Sequence, residues 1–211
     1  MEKPAVLGSS NAANSQVMQE LFADADLQRI AGLGSGIFQS TCPKLYAIYA
    51  QNKKHLQSHD PALRWPWANS IFAATTFNFG PRTVSFPHLD FNNKPDGFCT
   101  ITAMTTNDKS FDYTRGGHLI LWDLGVVVEF PPGTTVLIPS AIFRHSNVAI
   151  GKHERRYSFT QYTAGSLFRF VERGFQTEES FWASLDDDER IAEMANDANR
   201  WSQAVRNFEK L

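Results

Sequence analysis

The sequence has little cysteine, no long apolar run and almost no excess charge, and each scarcity closes off a class of protein. Cys42 and Cys99 are the two cysteines among 211 residues. They lie far apart in unrelated contexts, so neither a redox pair nor a zinc site is available and free thiols are expected. No stretch approaches the ~20 apolar residues that span a bilayer. The opening "MEKPAVLGSSNAANS" lacks the apolar core of a secretory signal. The chain is therefore expected to be soluble and intracellular, nuclear or cytoplasmic, with no membrane partner. A net charge of -2 and a pI near 6.3 give no overall pull toward nucleic acid or an anionic surface, although a local basic groove is compatible with them. Internal repeats, low-complexity tracts and interdomain linkers are also missing. A single domain over residues 1–211 is expected, with disorder confined to the first dozen residues.

What is present reads as helices, then a β-rich core, then a helix. Residues 15–31 carry Val17, Met18, Leu21, Phe22 and Ala25 at helical spacing, and "GLGSG" at 32–36 is expected to end that helix. A second helix is predicted from an N-cap at Thr41, with Pro43 in its first turn, to Asp60-Pro61. From residue 70 the texture changes to short β-rich runs: "SIFAATTFNF", "TVSF", "FCTITAMTT", "HLILW", "VVVEF", "TTVLI", "AIFRH" and "RYSFTQY". Turn signals separate them and no helical pattern intervenes. The predicted fold is mainly β with flanking helices, its core an antiparallel jelly roll. The helical N-terminal part spans 1–69, the core 70–170 and a C-terminal helical segment 171–211. In that last segment Ser184 is a candidate cap. Ile191, Met194, Ala198, Trp201, Val205 and Phe208 form one stripe, expected to pack on the barrel's own outer face, so that the chain is a monomer rather than a dimer.

The six histidines are few enough to audit singly. His55 and His59 stand four apart on the second predicted helix, but their neighbours are polar and no third ligand is near, so a solvated face is the better reading. His153 lies in a turn and is expected to be exposed. His118 opens a strand at the barrel rim. His88 and Asp90 differ: in "SFPHLDFNN" period-two alternation points both to one side of the sheet. A carboxylate on an inner face is costly unless paired or metal-bound. His145, 57 residues on, supplies a third group. Two imidazoles and one carboxylate form the facial set of non-haem Fe(II) oxygenases, although such a set recurs by chance in many chains. Arg156 and Ser158 follow His145 by 11 and 13 positions and share a strand face. A buried Arg there has the forked geometry to hold the far carboxylate of 2-oxoglutarate. Arg155, on the opposite face, reads as a surface cation.

With "HLD" at 88–90, His145 and "RYS" at 156–158, supported by "GGHL" at 116–119 and the "PPG" turn at 131–133, residues 70–170 resemble the Fe(II)/2-oxoglutarate dioxygenases, which are built on a double-stranded β-helix of cupin-like form. More narrowly the chain is similar to the TET/JBP branch, and in style to its short fungal members associated with mobile elements. The resemblance implies Fe(II) held by His88, Asp90 and His145 as catalytic and metal-binding residues. It also implies 2-oxoglutarate as cosubstrate anchored by Arg156 and Ser158, dioxygen as oxidant and ascorbate as reductant. It extends the motif to H-x-D-x-x-N and implies that Asn93 and Tyr162 bind the substrate, a flipped base. Two departures are visible: Ala164 stands where the animal enzymes have a base-contacting His, and their cysteine-rich region has no counterpart.

The expected activity is hydroxylation or oxidation of a C–H group, foremost a methyl, on a modified nucleobase in DNA or RNA. Asp90 fills the position that a halide would need, so halogenation is not expected. Two other classes fit less of the sequence. One is a hydroxylase of a small molecule such as an amino acid or secondary metabolite. The other is a β-barrel binding module that has kept the fold without catalysis.

Overall fold

The computed structural model describes residue 4 and residues 12–107 and 110–208; most of the expected disordered leader lies outside them. Three helices come first, α1 (Ala12–Ala23), α2 (Ala25–Thr41) and α3 (Pro43–His59). Seven strands follow: β1 (Ala74–Asn78), β2 (Cys99–Met104), β3 (Leu119–Leu121), β4 (Val126–Val128), β5 (Thr135–Ile138), β6 (His145–Asn147) and β7 (Tyr157–Tyr162). The chain closes with α4 (Gly165–Glu172), α5 (Glu178–Ser184) and α6 (Asp187–Ala204). The strands form two antiparallel sheets, one in the order β1-β7-β2-β5 and one in the order β4-β3-β6. Helices make up 43% of the described residues. Sheets with flanking helices are present as expected, but that helical share is larger than a mainly β chain implies, and the strand pairings define two sheets without showing a closed jelly roll. Among the described residues no helix is long and apolar enough to cross a membrane.

Period-two alternation along β2 sets the layers. Cys99 and Ala103 face a core shared with Phe111, Leu119, Phe130 and Ile138, which joins the two sheets. Thr100 and Thr102 point to the other side, where α2 covers the larger sheet and Gln161 is buried, bonded to Thr100 Oγ1, Ala31 O and Ser70 Oγ. A second core of Phe38, Leu45, Tyr49, Ile71, Phe72 and Phe168 lies under α2, α3 and α4. Neither cysteine is in a disulfide.

Several boundaries differ from expectation. "GLGSG" does not end a helix, because α2 runs through it. A Cβ at Gly34 would lie 3.0 Å from Gln161 Nε2 and 3.1 Å from Thr100, so glycine there lets the helix lie close on the sheet. The break falls earlier, where the Asp24 carboxylate accepts from Leu27 N at 2.8 Å and caps α2. Thr41 belongs to the end of α2, its hydroxyl donating to Ile37 O, and Cys42 occupies the cap of α3. Ser184 ends α5; Asp186 with Glu189 makes the capping box of α6. Helix resumes at Gly165, before the expected end of the β core at 170.

The α6 stripe points outward rather than onto the sheets: Ile191 and Met194 are 67% and 65% exposed, and Trp201 and Val205 are also exposed. Phe208 alone of that set packs inward, against Phe98. The inner face of α6 is polar. Asp197 and Arg200 pair there with Arg173 and Glu172 of the preceding helical region.

Candidate metal centre and carboxylate pocket

His88 and Asp90 sit not in a strand but in an irregular strap, residues 81–90. Pro81 and Pro87 lack the N–H groups that a ladder needs, and "TVSF" forms no regular strand; "AIFRH" becomes strand only at His145. The strap meets the rest of the fold through isolated pairings. His88 N donates to His145 O at 3.1 Å and His145 N to His88 O at 3.0 Å. Asp90 N donates to Ser140 O at 2.9 Å. At the other end Arg156 N donates to Pro81 O at 2.9 Å.

These pairings bring the three ligand types together across a large sequence gap. One ligand atom from each of His88, Asp90 and His145 lies within 4.8 Å of the others. The Nε2 atoms of His88 and His145 are 3.6 and 3.9 Å from the Asp90 oxygens. Each imidazole is turned by its other nitrogen, His88 Nδ1 on Phe86 O at 2.7 Å and His145 Nδ1 on Phe143 O at 3.0 Å. That leaves Nε2 as the free lone pair on both rings, the arrangement a metal ligand requires. Burial holds His145 below the usual imidazole range, and neighbouring His88 adds to the effect, against the Phe143 carbonyl and Asp90. Neutral imidazole is the ligating form.

The same cavity, about 490 Å³, is lined by all seven residues singled out in the sequence: His88, Asp90, Asn93, His145, Arg156, Ser158 and Tyr162. Arg156 is 3% exposed. Its guanidinium lies over the Phe130 ring at 5.5 Å, its Nε has no hydrogen-bond partner, and burial pushes its pKa down to about 10. No carboxylate among the described residues pairs with it. A buried, under-satisfied cation in a cavity fits an anionic ligand. Gly117, at φ +75°, makes room for it: a Cβ there would meet the Phe111 ring at 2.6 Å and Arg156 Cδ at 3.3 Å. Ser158 accepts from Asn78 Nδ2 at 2.9 Å. The Asn93 amide donates to Ser140 Oγ at 3.1 Å and to Asp90 Oδ2 at 3.4 Å, so it touches the carboxylate ligand itself. Tyr162 accepts from Thr76 Oγ1 at 3.4 Å.

The remaining histidines stay outside. His59 stacks on Phe175, ring centroids 4.0 Å apart, and His153 is exposed. Sequence reasoning missed Asn78, Ser140 and Asn147. Asn147 was reachable, because it stands two residues after His145 and so shares its strand face. Asn78 faces Ser158 only through the β1–β7 register, which no local pattern reveals.

No family model and no curated protein matches the sequence. Among solved structures, NgTET1 in complex with 5mC DNA superposes with a TM-score of 0.50 at 16% identity, over 73% of this chain and 54% of that one. This chain thus spans about half the length of that structure. A cupin 2 conserved barrel protein from Salinispora arenicola gives 0.31 at 19% identity, over 47% of this chain and 70% of the other. The collagen prolyl hydroxylase vCPH of Paramecium Bursaria Chlorella virus-1, in its 2OG complex, gives 0.30 at 10%, over 53% and 68%. Over the part shared with NgTET1 the fold is similar to that structure, in line with the resemblance read from the sequence.

Proposed function

We propose that the chain is an Fe(II)- and 2-oxoglutarate-dependent dioxygenase that oxidises a C–H group, foremost a methyl, on a nucleobase. The observation that carries this reading is one cavity holding both a His-Asp-His cluster within 4.8 Å and a buried Arg156 that no carboxylate among the described residues pairs with. His88, Asp90 and His145 would hold the iron, and Arg156 with Ser158 would hold the distal carboxylate of 2-oxoglutarate. When bound, iron and cosubstrate supply the activation of dioxygen, with succinate and carbon dioxide as coproducts. The protein's part is to ligate, orient and exclude water. The Phe86 and Phe143 carbonyls fix both imidazoles, and Phe130 walls the Arg156 end.

The lining also bears on the substrate. Apart from the cluster and Arg156, its polar residues are all neutral, Thr76, Asn78, Asn93, Thr160 and Tyr162 among them. A zwitterionic amino acid would leave its ammonium and carboxylate without partners of their own, which is costly in a pocket. A neutral heterocycle with amide-like edges would not, and its face could stack on Tyr162. Asn93 would offer its remaining oxygen to that edge. NgTET1 was solved with 5mC DNA, which supports the same class. A hydroxylase of a neutral small molecule is the second reading, favoured by the net charge of -2.

The test is incubation with Fe(II), 2-oxoglutarate, ascorbate and methylated DNA or RNA, followed by mass spectrometry of the released nucleosides. A nucleoside heavier by one oxygen, or demethylated, formed in step with succinate is expected. Succinate formed only with free small molecules would favour the second reading. No metal-dependent succinate with any substrate would overturn the proposal.

A further inference from the structure

Two of the three presumed metal ligands sit on the strap 81–90 rather than on a strand, so something other than a ladder must fix their distance from His145. The backbone gives few fastenings. Between the Arg156 end of the strap and the His88–His145 pair, the residues held are Thr83 and Ser85, and one side chain bonds to both. Asn147 Oδ1 accepts from Ser85 N at 2.8 Å and from Ser85 Oγ at 2.9 Å. Asn147 Nδ2 donates to Thr83 O at 2.9 Å and to Val148 O at 3.2 Å. All the hydrogen-bonding capacity of the carboxamide is used, and three of its four bonds go to the strap, 62 to 64 residues away in sequence. Thr83 is held besides by its N–H on Arg156 O, long at 3.4 Å, and by its hydroxyl, which donates to Asn78 O at 3.3 Å and to Gly80 O at 2.8 Å.

We propose that Asn147 is a positioning residue: it clamps the strap to β6 and so sets His88 and Asp90 at ligating distance from His145. Asn147 itself touches no ligand atom of the cluster. Its effect passes through the backbone, from Ser85 to His88, three residues on. Because the strap is also tied to Arg156 at Pro81, the same clamp fixes the spacing between the metal cluster and the carboxylate anchor. The inference rests on the cluster being a metal centre, as proposed above.

The experiment titrates Co(II), anaerobically and without cosubstrate, into wild type, Asn147→Ala and Ser85→Ala. Binding is read from the visible d–d absorption, and amide exchange over residues 81–91 is followed in parallel by mass spectrometry. Asn147→Ala is expected to weaken Co(II) binding about tenfold, the lower end of what supporting residues contribute at metal sites, and to speed exchange at Ser85 and His88. Ser85→Ala, which removes one bond of the four, is expected to weaken binding two- to threefold with the melting temperature unchanged. If wild type binds no Co(II), the reading of the cluster as a metal centre fails. If wild type binds and both variants bind equally well, the clamp is overturned, whatever the variants do to melting temperature. Should Asn147→Ala not fold, Ser85→Ala alone decides: an affinity equal to wild type overturns the clamp.

Discussion

Arg155 and Arg156 are neighbours with identical chemistry, and backbone alternation alone gives them different surroundings. Arg156 lines the cavity with Ser158, Thr160 and Tyr162, whereas Tyr157, Phe159 and Gln161 face away from it. Arg156→Lys keeps the charge but loses the planar fork, so 2-oxoglutarate binding should weaken by about 1.5–3 kcal/mol if one charged hydrogen bond is lost. Arg155→Lys should be nearly silent. Titration of 2-oxoglutarate against the visible band of the anaerobic Fe(II) complex decides it, and the reverse order of effects would shift the whole β7 register by one. A second consequence concerns stability. Burial lowers the pKa of Arg156 from the ordinary guanidinium range to about 10. The unfolded chain therefore holds that proton more tightly, and the buried charge costs stability at every pH below about 10, a cost that fades as pH rises beyond that value. Arg156→Met should leave the melting temperature of the ligand-free protein unchanged or raise it, and should abolish its rise on adding 2-oxoglutarate. A fall of many degrees would mean that Arg156 is structural. The cluster residues and Arg156 were legible because motif spacing survives any error in element boundaries. The bond from Asn93 to Asp90 was not, since it depends on a turn that brings the two side chains together.

At the scale of elements, α6 is amphipathic in the reverse of the usual sense. Its stripe of Ile191, Met194 and Trp201, continued by Val205 just past its end, is exposed, while Arg200 and Asp197 face inward to Glu172 and to Arg173, which also forms an ion pair with Glu178 at 3.0 Å and lies over Phe181. Periodicity reports that a helix has two faces; it does not report which one meets the body when ion pairs compete with apolar contact. Met194→Gln should therefore change unfolding free energy by no more than about 0.5 kcal/mol. Arg173→Ala, which removes a buried cation and strands its partners, should cost roughly 2 kcal/mol. Urea denaturation of both variants checks the pair, and the opposite ranking would mean that α6 docks by its apolar side. The misread "GLGSG" has a related cause. Glycine is a poor helix former on its own, but Gly34 lies against Thr100 and Gln161, contacts that exist only once the sheet has formed. Gly34→Val should destabilise by about 1–3 kcal/mol through overpacking, despite removing a flexible residue from a helix.

Over the whole molecule, the near balance of 20 basic and 22 acidic residues constrains how a polymer substrate would be held. Composition displayed that balance directly, whereas the two-sheet architecture and its helical share had to await strand pairing, because seven short strands are compatible with several closures. A protein that binds DNA mainly through its field neutralises many phosphates, and its affinity then falls steeply with salt, by a log–log slope of about -0.9 for each phosphate contacted. A net charge of -2 supplies no overall field of that kind. Among the described residues, the one Lys or Arg lining the cavity is Arg156, which is buried and committed in the proposed function to the cosubstrate. Phe86 and Phe91, 85% and 79% exposed beside the cluster, offer apolar contact that salt does not screen. If a nucleobase in a polymer is the substrate, binding should therefore depend on the pocket and on stacking more than on phosphates. The expected slope of log affinity against log salt is shallow, roughly -2 to -3, equivalent to about two or three phosphate contacts. Fluorescence anisotropy with a labelled single strand between 50 and 300 mM salt measures it. A slope steeper than about -6 would require a local basic surface that contacts many phosphates, and would move recognition away from the cavity mouth.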